Sequence, residues 1–275
     1  MPELPEVENV VRNLNDKIPL PTNIKNWIFW RKNLRYDLPI SQLRKLTAQK
    51  LLKIERRAKY IVFEFERDIV LSHLGMTGQW RFHQGSVAPN LALQKHDHVA
   101  FCYGDDHWLI YQDPRRFGYI ELIEKHNISN YFEKYGLEPF DLNQYKQELI
   151  KTFRKLKTPI KAALMNQKYI VGVGNIYAAE ALYMAGIRPQ RSCHSLTAKD
   201  YDRLFLATEK VIEQAIEMGG STILNYRNSN NEEGGFQKKH FVYGKEGQLC
   251  VKCHDRIKNI VITGRASCYC PTCQK

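Results

Sequence analysis

Four cysteines near the end of the chain have the spacing of a zinc site. Cys250 and Cys253 form one Cys-x-x-Cys pair and Cys270 and Cys273 form a second, with residues 254–269 between them. Two such pairs can present four thiolates to one Zn²⁺ in a tetrahedral arrangement. Because four thiolates fill the coordination sphere, the pattern predicts one structural zinc ion rather than a catalytic one.

The segment between the two cysteine pairs has the pattern of a β-hairpin. Two strand-like runs, 258–263 and 266–269, are joined at a glycine followed by Arg265. An arginine at the tip of such a hairpin could be an ordinary solvated side chain, or it could reach a phosphate or a reaction centre. Cys268 is a surplus thiol, but its spacing from Cys270 makes a poor zinc knuckle.

The first residues of the chain also have types that could do chemistry. Removal of Met1 would leave a free secondary amine on Pro2, which could attack an electrophilic sugar carbon and form an iminium ion. Glu3 could shuttle protons, and Glu6 could orient Glu3 or an opened sugar. The same acidic residues would suit an ordinary helix start, where they complement the helix dipole, so this segment needs support from other motifs.

Composition limits the class of protein. The 275 residues contain 41 Lys and Arg against 29 Asp and Glu, and the net charge of +12 favours a polyanionic partner such as nucleic acid. Acidic residues stand where a signal peptide would have its basic and apolar regions, and no apolar run approaches the length of a membrane span. We therefore expect a cytoplasmic protein without a membrane partner, and seven cysteines there argue against a disulfide framework.

Hydrophobic patterning divides the chain into a β-rich part and a helical part. Apolar residues recur at helical spacing over residues 5–18. Short strand-like runs, the first at 27–30, follow to about residue 125 and are typical of a sandwich or barrel. After a connection near 133–143, we predict a helix from Asn175 and a longer one from Thr197 to a glycine pair, ahead of the cysteine module.

Five further motifs occur along these elements. In order, they are Arg56-Arg57-Ala58-Lys59-Tyr60, His73-Leu74-Gly75-Met76, Lys95-His96-Asp97-His98, Asp113-Pro114-Arg115-Arg116-Phe117-Gly118 and Gly172-Val173-Gly174-Asn175-Ile176-Tyr177. With these motifs, the N-terminal Met-Pro-Glu and the cysteine pairs, the chain resembles the bacterial formamidopyrimidine-DNA glycosylases over essentially its whole length.

The resemblance implies a multi-domain α+β fold. It implies a β-sandwich catalytic domain with an N-terminal helix over residues 1–130, and a linker over 131–142. A helical helix–two-turn–helix DNA-binding domain would occupy residues 143–240, and a zinc finger residues 241–275. Within the helical domain, residues 225–236 match the loop that covers 8-oxoguanine in the family.

The resemblance also implies a bifunctional glycosylase and lyase that acts as a monomer on damaged double-stranded DNA. Pro2 would attack C1′ of a flipped nucleotide and expel the base, with Glu3 as general acid and base. Lys59 would assist β-elimination and Arg265 δ-elimination. One structural zinc ion is expected, and no organic cofactor.

Further side chains match family contacts to DNA. Met76, Arg115 and Phe117 match a triad that fills the void left by an extracted base, with Arg115 donating to the orphaned cytosine. The remaining matches are the DNA contacts His96, Lys161 and Asn175 and the auxiliary Glu180, which is either a damage-pocket contact or a plain helix-face carboxylate. Leu156 departs from the family by interrupting a basic run, which puts a phosphate contact there in doubt.

Two other functions are compatible with parts of the pattern. An endonuclease VIII-like glycosylase for oxidised pyrimidines shares Pro2 and Glu3, but Arg115 with Phe117 and the full-length 225–236 loop favour a purine enzyme. A non-catalytic zinc-hairpin binding protein would explain the charge and the cysteines, but it gives no reason for Pro2-Glu3.

Overall fold

A computed structural model describes residues 1–87, 92–221 and 234–275 of the chain. The chain forms two compact units. The first comprises Met1–Glu133 with Gly219–Gly234, and the second comprises Lys134–Met218 with Gly235–Lys275.

The first unit is built around eight antiparallel strands. Its helices are α1 (Leu4–Lys17), α2 (Ile40–Lys45) and α3 (Ile128–Phe132), with 3₁₀ turns at Leu46–Ala48 and Lys125–Asn127, and its strands are β1 (Thr22–Phe29), β2 (Lys50–Arg57), β3 (Tyr60–Phe65), β4 (Asp68–His73), β5 (Gln79–Gln84), β6 (Asp97–Tyr103), β7 (His107–Gln112) and β8 (Tyr119–Glu124). The strand order is β5-β7-β6-β1-β2-β3-β4-β8.

Strand β1 is shared by two leaves of a sandwich. Thr22 and Asn23 pair with β2 of the first leaf, whereas the strand from Ile24 onward pairs with β6 of the second. Side chains of the two leaves meet in the core, where the Phe63 ring lies 5.6 Å from that of Trp80 and 5.8 Å from that of Phe101. Aromatic pairs at this spacing contribute dispersion energy beyond the burial of their area.

Helix α1 brings the start of the chain to this sandwich. One face of the helix carries Val7, Val10, Val11 and Leu14, all of which are buried in the core of the unit. The helix begins only three residues from the chain terminus, so burying its apolar face also fixes the position of the first residues.

The second unit combines helices with a small hairpin. Its helices are α4 (Lys146–Phe153), α5 (Ile160–Leu164), α6 (Asn175–Ala185) and α7 (Ala198–Glu217), with 3₁₀ turns at Pro139–Asp141, Cys193–Ser195 and Phe236–Lys239, and its strands are β9 (Lys258–Ile262) and β10 (Arg265–Tyr269). Thr197 and Asp200 form a capping box that starts α7. The hairpin module packs on α6, where Ala179 and Tyr183 join a cluster with Ile257 and the buried cysteines.

The expected fold class is confirmed, with a β-sandwich, a helical part and a C-terminal hairpin that carries the cysteines. The first strand begins at Thr22 rather than near 27, because several of its early residues are polar and face solvent, which hides the strand from a hydrophobic pattern. The finer boundaries expected at residues 130, 142 and 240 stay predictions. Within the three described ranges, no helix has the length and apolar character needed to cross a membrane.

The stability of the protein should depend on pH through two histidines, the half-buried His73 and the buried His240. Burial lowers the pKa of His73 in the first unit, and of His240 in the second, from the ordinary 6.5 to about 4. Between these values the unfolded chain binds protons that the folded chain does not, so the free energy of unfolding falls as the pH is lowered from about 6.5 to about 4. Denaturant titrations at several pH values would measure this decline.

The variants His73→Asn and His240→Gln should each flatten the decline, because neither replacement side chain titrates in this range. In this pH range, the slope of the free energy of unfolding against pH is compared between parent and variant. Carboxylates that both proteins share contribute equally to the two slopes and cancel. If the free energy of unfolding falls equally steeply in all three proteins, these histidines do not cause the loss of stability at low pH.

Candidate active site and metal centre

The Glu6 carboxylate holds the N-terminal residues in place. Its Oε2 accepts the backbone N–H of Glu3 at 2.7 Å, and its Oε1 accepts the backbone N–H of Ser221 at 2.8 Å. Glu3 and Glu6 are only 3% and 2% exposed, whereas Met1 is 51% exposed. The first residue is therefore accessible, but Pro2 and Glu3 behind it are buried.

Four charged side chains act on the N-terminal amine. Burial lowers the pKa of the Met1 amino group below its ordinary value of 8.0; Lys59 and Arg115 lower it further, whereas Glu3 and Glu6 raise it. Four residues predicted from the sequence to act in the site thus lie within electrostatic reach of the N-terminal amine. The group described here is the amine of Met1, which precedes the Pro2 nitrogen expected to act as the nucleophile.

Lys59 reaches this corner from the turn between β2 and β3. The turn contains Ala58 with a left-handed φ of 55°, and the Arg56 guanidinium donates to the Ala58 carbonyl at 3.1 Å. Arg56 also donates to the Glu8 carboxylate of α1 at 2.9 Å. Lys59 itself is only 6% exposed, so its ammonium group is held in a largely desolvated position.

Met76, Arg115 and Phe117 project from two neighbouring loops of the first unit. Met76 follows β4, and Arg115 and Phe117 precede β8, which pairs with β4 through His73 and Tyr119. All three side chains are exposed, with Met76 at 39% and Phe117 at 44%, and the Arg115 guanidinium lies 4.5 Å from the centre of the Phe117 ring. Apolar side chains exposed on loops are candidates for binding a partner.

The two histidines of the 95–98 motif have different environments. His96 is half-buried and has a left-handed φ of 74°. His98 is 1% exposed, and its Nε2 donates to the Asp113 carbonyl at 2.8 Å, so it supports the adjacent loop.

In the second unit, a buried lysine joins helix α6 to the hairpin. Lys161 is 1% exposed, and its Nζ donates to Asn175 Oδ1 at 2.6 Å, to Ser267 Oγ at 2.7 Å and to the Ala266 carbonyl at 3.0 Å. Ser267 was not singled out from the sequence, since serine in a strand gives no signal of its own. Arg265 is exposed at the start of β10, two residues before this junction.

The four predicted cysteines come together. Their Sγ atoms all lie within 4.8 Å of one another, with Cys250 and Cys273 3.7 Å apart and Cys253 and Cys270 3.4 Å apart. Zinc–sulfur bonds of about 2.3 Å in a tetrahedron place the sulfur atoms about 3.8 Å apart, so the cluster has the size of a metal site. Cys268 is not a member of the cluster.

Glu180 is fully buried on α6. Its carboxylate accepts three backbone N–H groups, from Phe241 and Tyr243 at 2.7 Å and from Val242 at 3.0 Å. Burial raises the pKa of Glu180, and the three hydrogen bonds counter that shift. The carboxylate therefore anchors the segment that leads into the cysteine module, a role that the sequence did not indicate because its partners are 61–63 residues away.

Comparison with known proteins identifies the family. A model of the formamidopyrimidine-DNA glycosylase N-terminal domain matches residues 1–120, and a model of the formamidopyrimidine-DNA glycosylase H2TH domain matches residues 135–226. Formamidopyrimidine-DNA glycosylases of Acinetobacter baumannii and of a Wolbachia species are 37% and 39% identical over the whole of this chain and over 97% and 100% of their own lengths.

The chain belongs to the formamidopyrimidine-DNA glycosylase family.

Solved structures of this family have the same fold as this chain. A Lactococcus lactis FPG variant in complex with DNA containing Fapy-dG is 34% identical, with a TM-score of 0.88 and complete coverage of both chains. A complex of the Lactococcus lactis Fpg with DNA containing an abasic site has a TM-score of 0.87 at the same identity, with 99% of each chain covered. Most of the predicted lesion-covering loop, residues 225–233, lies outside the described part of this chain. Phe236 at its end is buried, with its ring 5.7 Å from that of Tyr177.

The anchoring role of Glu180 predicts the effect of replacing it. In Glu180→Gln the side chain keeps its shape, but its NH₂ group must face a backbone N–H, so we expect a loss of about 1–3 kcal/mol in the free energy of unfolding. Glu213→Gln on the exposed face of α7 is the matched control and should change it by less than about 0.5 kcal/mol. Denaturant titration would compare the two, and equal stability of both variants would contradict the anchoring role.

Proposed function

We propose that the chain is a base-excision repair enzyme that removes oxidised purines, 8-oxoguanine and formamidopyrimidines, from duplex DNA and then cuts the strand by β- and δ-elimination. The observation that carries the proposal is the start of the chain, where the buried Glu3, Glu6 and Lys59 and the exposed Arg115 lie within electrostatic reach of the N-terminal amine. Family membership and the solved Fpg complexes with Fapy-dG and abasic DNA support the choice of substrate.

The proposed nucleophile is the amine of Pro2 after removal of Met1. Its lone pair forms a bond to C1′ of the flipped nucleotide while the bond from C1′ to the base breaks. Glu3, buried beside it, transfers the protons that base release and sugar opening require. The resulting iminium ion is an electron sink for the eliminations, so the reaction needs no organic cofactor.

Lys59 and Arg265 have proposed roles in the two eliminations. The desolvated ammonium of Lys59 can transfer a proton and neutralise charge near the sugar, and we assign it to β-elimination. Arg265, exposed on the hairpin, is assigned to δ-elimination, where it can neutralise the departing phosphate.

Extraction of a base from the duplex costs a few kcal/mol of lost stacking. Met76 and Phe117 are exposed apolar groups that can fill the vacated space, and Arg115 can donate to the Watson–Crick edge of the orphaned cytosine. The contact between Arg115 and the Phe117 ring lets the two enter the base stack as one group.

His96 and Asn175 are proposed to bind the phosphate backbone directly. Lys161, expected from the resemblance to do the same, is proposed to act by orienting Asn175, because its buried ammonium already donates to three protein acceptors. Because Asn175 Oδ1 faces the Lys161 ammonium, the amide N–H groups of Asn175 point away from it and are oriented as donors. They lie at the N-terminus of α6, where the helix dipole also favours an anion. The positive net charge of the chain adds attraction to DNA.

Cys250, Cys253, Cys270 and Cys273 would hold one structural Zn²⁺. The separations of their sulfur atoms fit that ion, and four thiolates leave no position for substrate. The metal would fix the hairpin that carries Arg265. We propose that the enzyme works as a monomer in the bacterial cytosol.

Replacement of the nucleophile should stop the reaction at its first step. In Pro2→Gly, or with an uncleaved N-terminal tag, we expect loss of 8-oxoguanine excision opposite cytosine and of borohydride-trapped adduct, with DNA affinity nearly unchanged. Intact mass would verify that Met1 is removed from the parent protein. Excision that persists when an uncleaved tag blocks the N-terminal amine would refute Pro2 as the nucleophile, since Pro2→Gly still leaves a primary amine at this position.

The choice of substrate can be tested separately. The parent protein should excise 8-oxoguanine opposite cytosine much faster than thymine glycol. Preference for thymine glycol would instead indicate an endonuclease VIII-like enzyme. A processed protein that binds DNA but forms no trapped adduct would indicate a binding protein.

Removal of the metal should weaken DNA binding. Zinc binding contributes to the folding of small cysteine modules, so we expect the chelated protein to bind lesion DNA at least about tenfold more weakly, or about 1.4 kcal/mol. Fluorescence anisotropy, with metal content measured in parallel, would give the two affinities, and added Zn²⁺ should restore binding. Unchanged affinity after verified metal loss would contradict the proposed role of the hairpin.

A further inference from the structure

A buried carboxylate lies between the two loops that carry Met76, Arg115 and Phe117, here called the wedge residues. Asp113 is fully buried at the end of β7. Its side chain was not among the candidate residues, although it begins the Asp-Pro-Arg-Arg-Phe-Gly motif.

The Asp113 carboxylate binds beside each wedge residue. Its Oδ1 accepts the hydroxyl of Thr77, the residue after Met76, at 2.5 Å and the backbone N–H of Arg115 at 3.3 Å. Its Oδ2 accepts the backbone N–H of Gly118, the residue after Phe117, at 2.8 Å. One side chain therefore ties both loops together at all three wedge positions.

The backbone of Asp113 is itself fixed. Its N–H donates to the His96 carbonyl at 3.1 Å, and its carbonyl accepts His98 Nε2 at 2.8 Å and the Arg116 N–H at 3.2 Å. The backbone of Asp113 is thus held against β6 and the turn before it. The position of the carboxylate is therefore already fixed before DNA binds.

The two loops are packed without spare room. A Cβ on Gly75, which also has a left-handed φ of 61°, would lie 2.4 Å from the carbonyl carbon of Phe117 and from the N of Gly118. A Cβ on Gly118 would lie 1.8 Å from the Tyr111 hydroxyl oxygen. The backbones of the two loops therefore approach each other so closely at Gly75 that only glycine fits there, and the same holds for Gly118 against Tyr111.

We propose that Asp113 is a positioning residue that preforms the wedge and thereby sets the rate at which a stacked lesion is extruded. This inference rests on the proposed function. When a rigid wedge inserts into the duplex, the full binding energy of the insertion can offset the cost of unstacking the base. If the loops were flexible, part of that binding energy would be lost to ordering them. Asp113 acts through the wedge and does not touch the reacting atoms.

A carboxylate suits this position because its partners are all donors. Asp113→Asn is nearly isosteric, but its NH₂ group must face either the Gly118 N–H or the pair formed by Thr77 and the Arg115 N–H. Two buried donor groups that face each other cannot form a hydrogen bond, and their partial positive charges repel each other. Thr77→Val removes the hydroxyl, which donates to Asp113 and also accepts the Arg115 N–H at 3.2 Å, whereas Thr77→Ser retains it.

The test separates extrusion from chemistry. In single-turnover assays with 8-oxoguanine opposite cytosine, Asp113→Asn should excise the base at least about tenfold more slowly than the parent, the loss expected for a charge-assisted hydrogen bond. Cleavage of a preformed abasic site, where no stacked base must be extruded, should change less than about threefold. The excision rate of Thr77→Val should lie between the rates of the parent and of Asp113→Asn. The rate of Thr77→Ser should be closer to the parental rate than that of Thr77→Val.

Two further readouts address the wedge itself. The same lesion placed in an unpaired bubble should largely restore excision by Asp113→Asn, because the base is already unstacked. The fluorescence of 2-aminopurine beside an abasic site should rise on binding of the parent and rise less with Asp113→Asn. Both assays use the full chain with its metal, and thermal unfolding would check that the variants are folded.

Several outcomes would overturn the proposal. They are excision by Asp113→Asn at the parental rate, equal losses on intact and abasic DNA, no rescue by the bubble, or an unchanged 2-aminopurine signal. Failure of the parent to excise 8-oxoguanine would defeat the proposed function instead, and the 2-aminopurine signal on abasic DNA would still decide whether Asp113 positions the wedge.

Discussion

The chemistry proposed for this molecule depends on one interaction, the pair of hydrogen bonds that the Glu6 carboxylate accepts from the backbone N–H groups of Glu3 and Ser221. A chain terminus is ordinarily free to move, and a mobile amine would rarely meet a sugar carbon at the right angle. Here α1 begins at Leu4, its apolar face is buried in the sandwich, and Glu6 fixes the residues before it. Burial and hydrogen bonds therefore hold Pro2 and Glu3 in place.

The same physical device recurs at two other places. Glu6, Asp113 and Glu180 are each 2% exposed or less, and each accepts backbone N–H groups from a loop or from the chain terminus. A buried carboxylate with several N–H partners is costly to disturb, because any lost partner leaves part of a charge unsatisfied. The three carboxylates fix, respectively, the proposed nucleophile, the proposed wedge and the entry to the cysteine module.

Much of this architecture could be predicted from local pattern. The two Cys-x-x-Cys pairs indicated their own cluster, because ligand spacing within a hairpin is set by nearby residues, and the period of Val7, Val10, Val11 and Leu14 indicated α1. The junction of Lys161 with Ser267 could not be predicted, since its members are 106 residues apart. The hydrogen bonds of Glu180 were hidden because their partners are backbone groups, which leave no trace in residue type, and the bond between Thr77 and Asp113 joins residues 36 positions apart.

Strand β1 has a consequence for how relatives of this chain can be recombined. Its first residues belong to one leaf of the sandwich and the rest to the other, with an irregular register between Ile24 and Asn26. A chimera that takes each leaf from a different parent must therefore join the two sequences within β1. Either β2 or β6 would then pair with a strand segment from the other parent. Exchange between homologues should preserve the sandwich only when both leaves are inherited together.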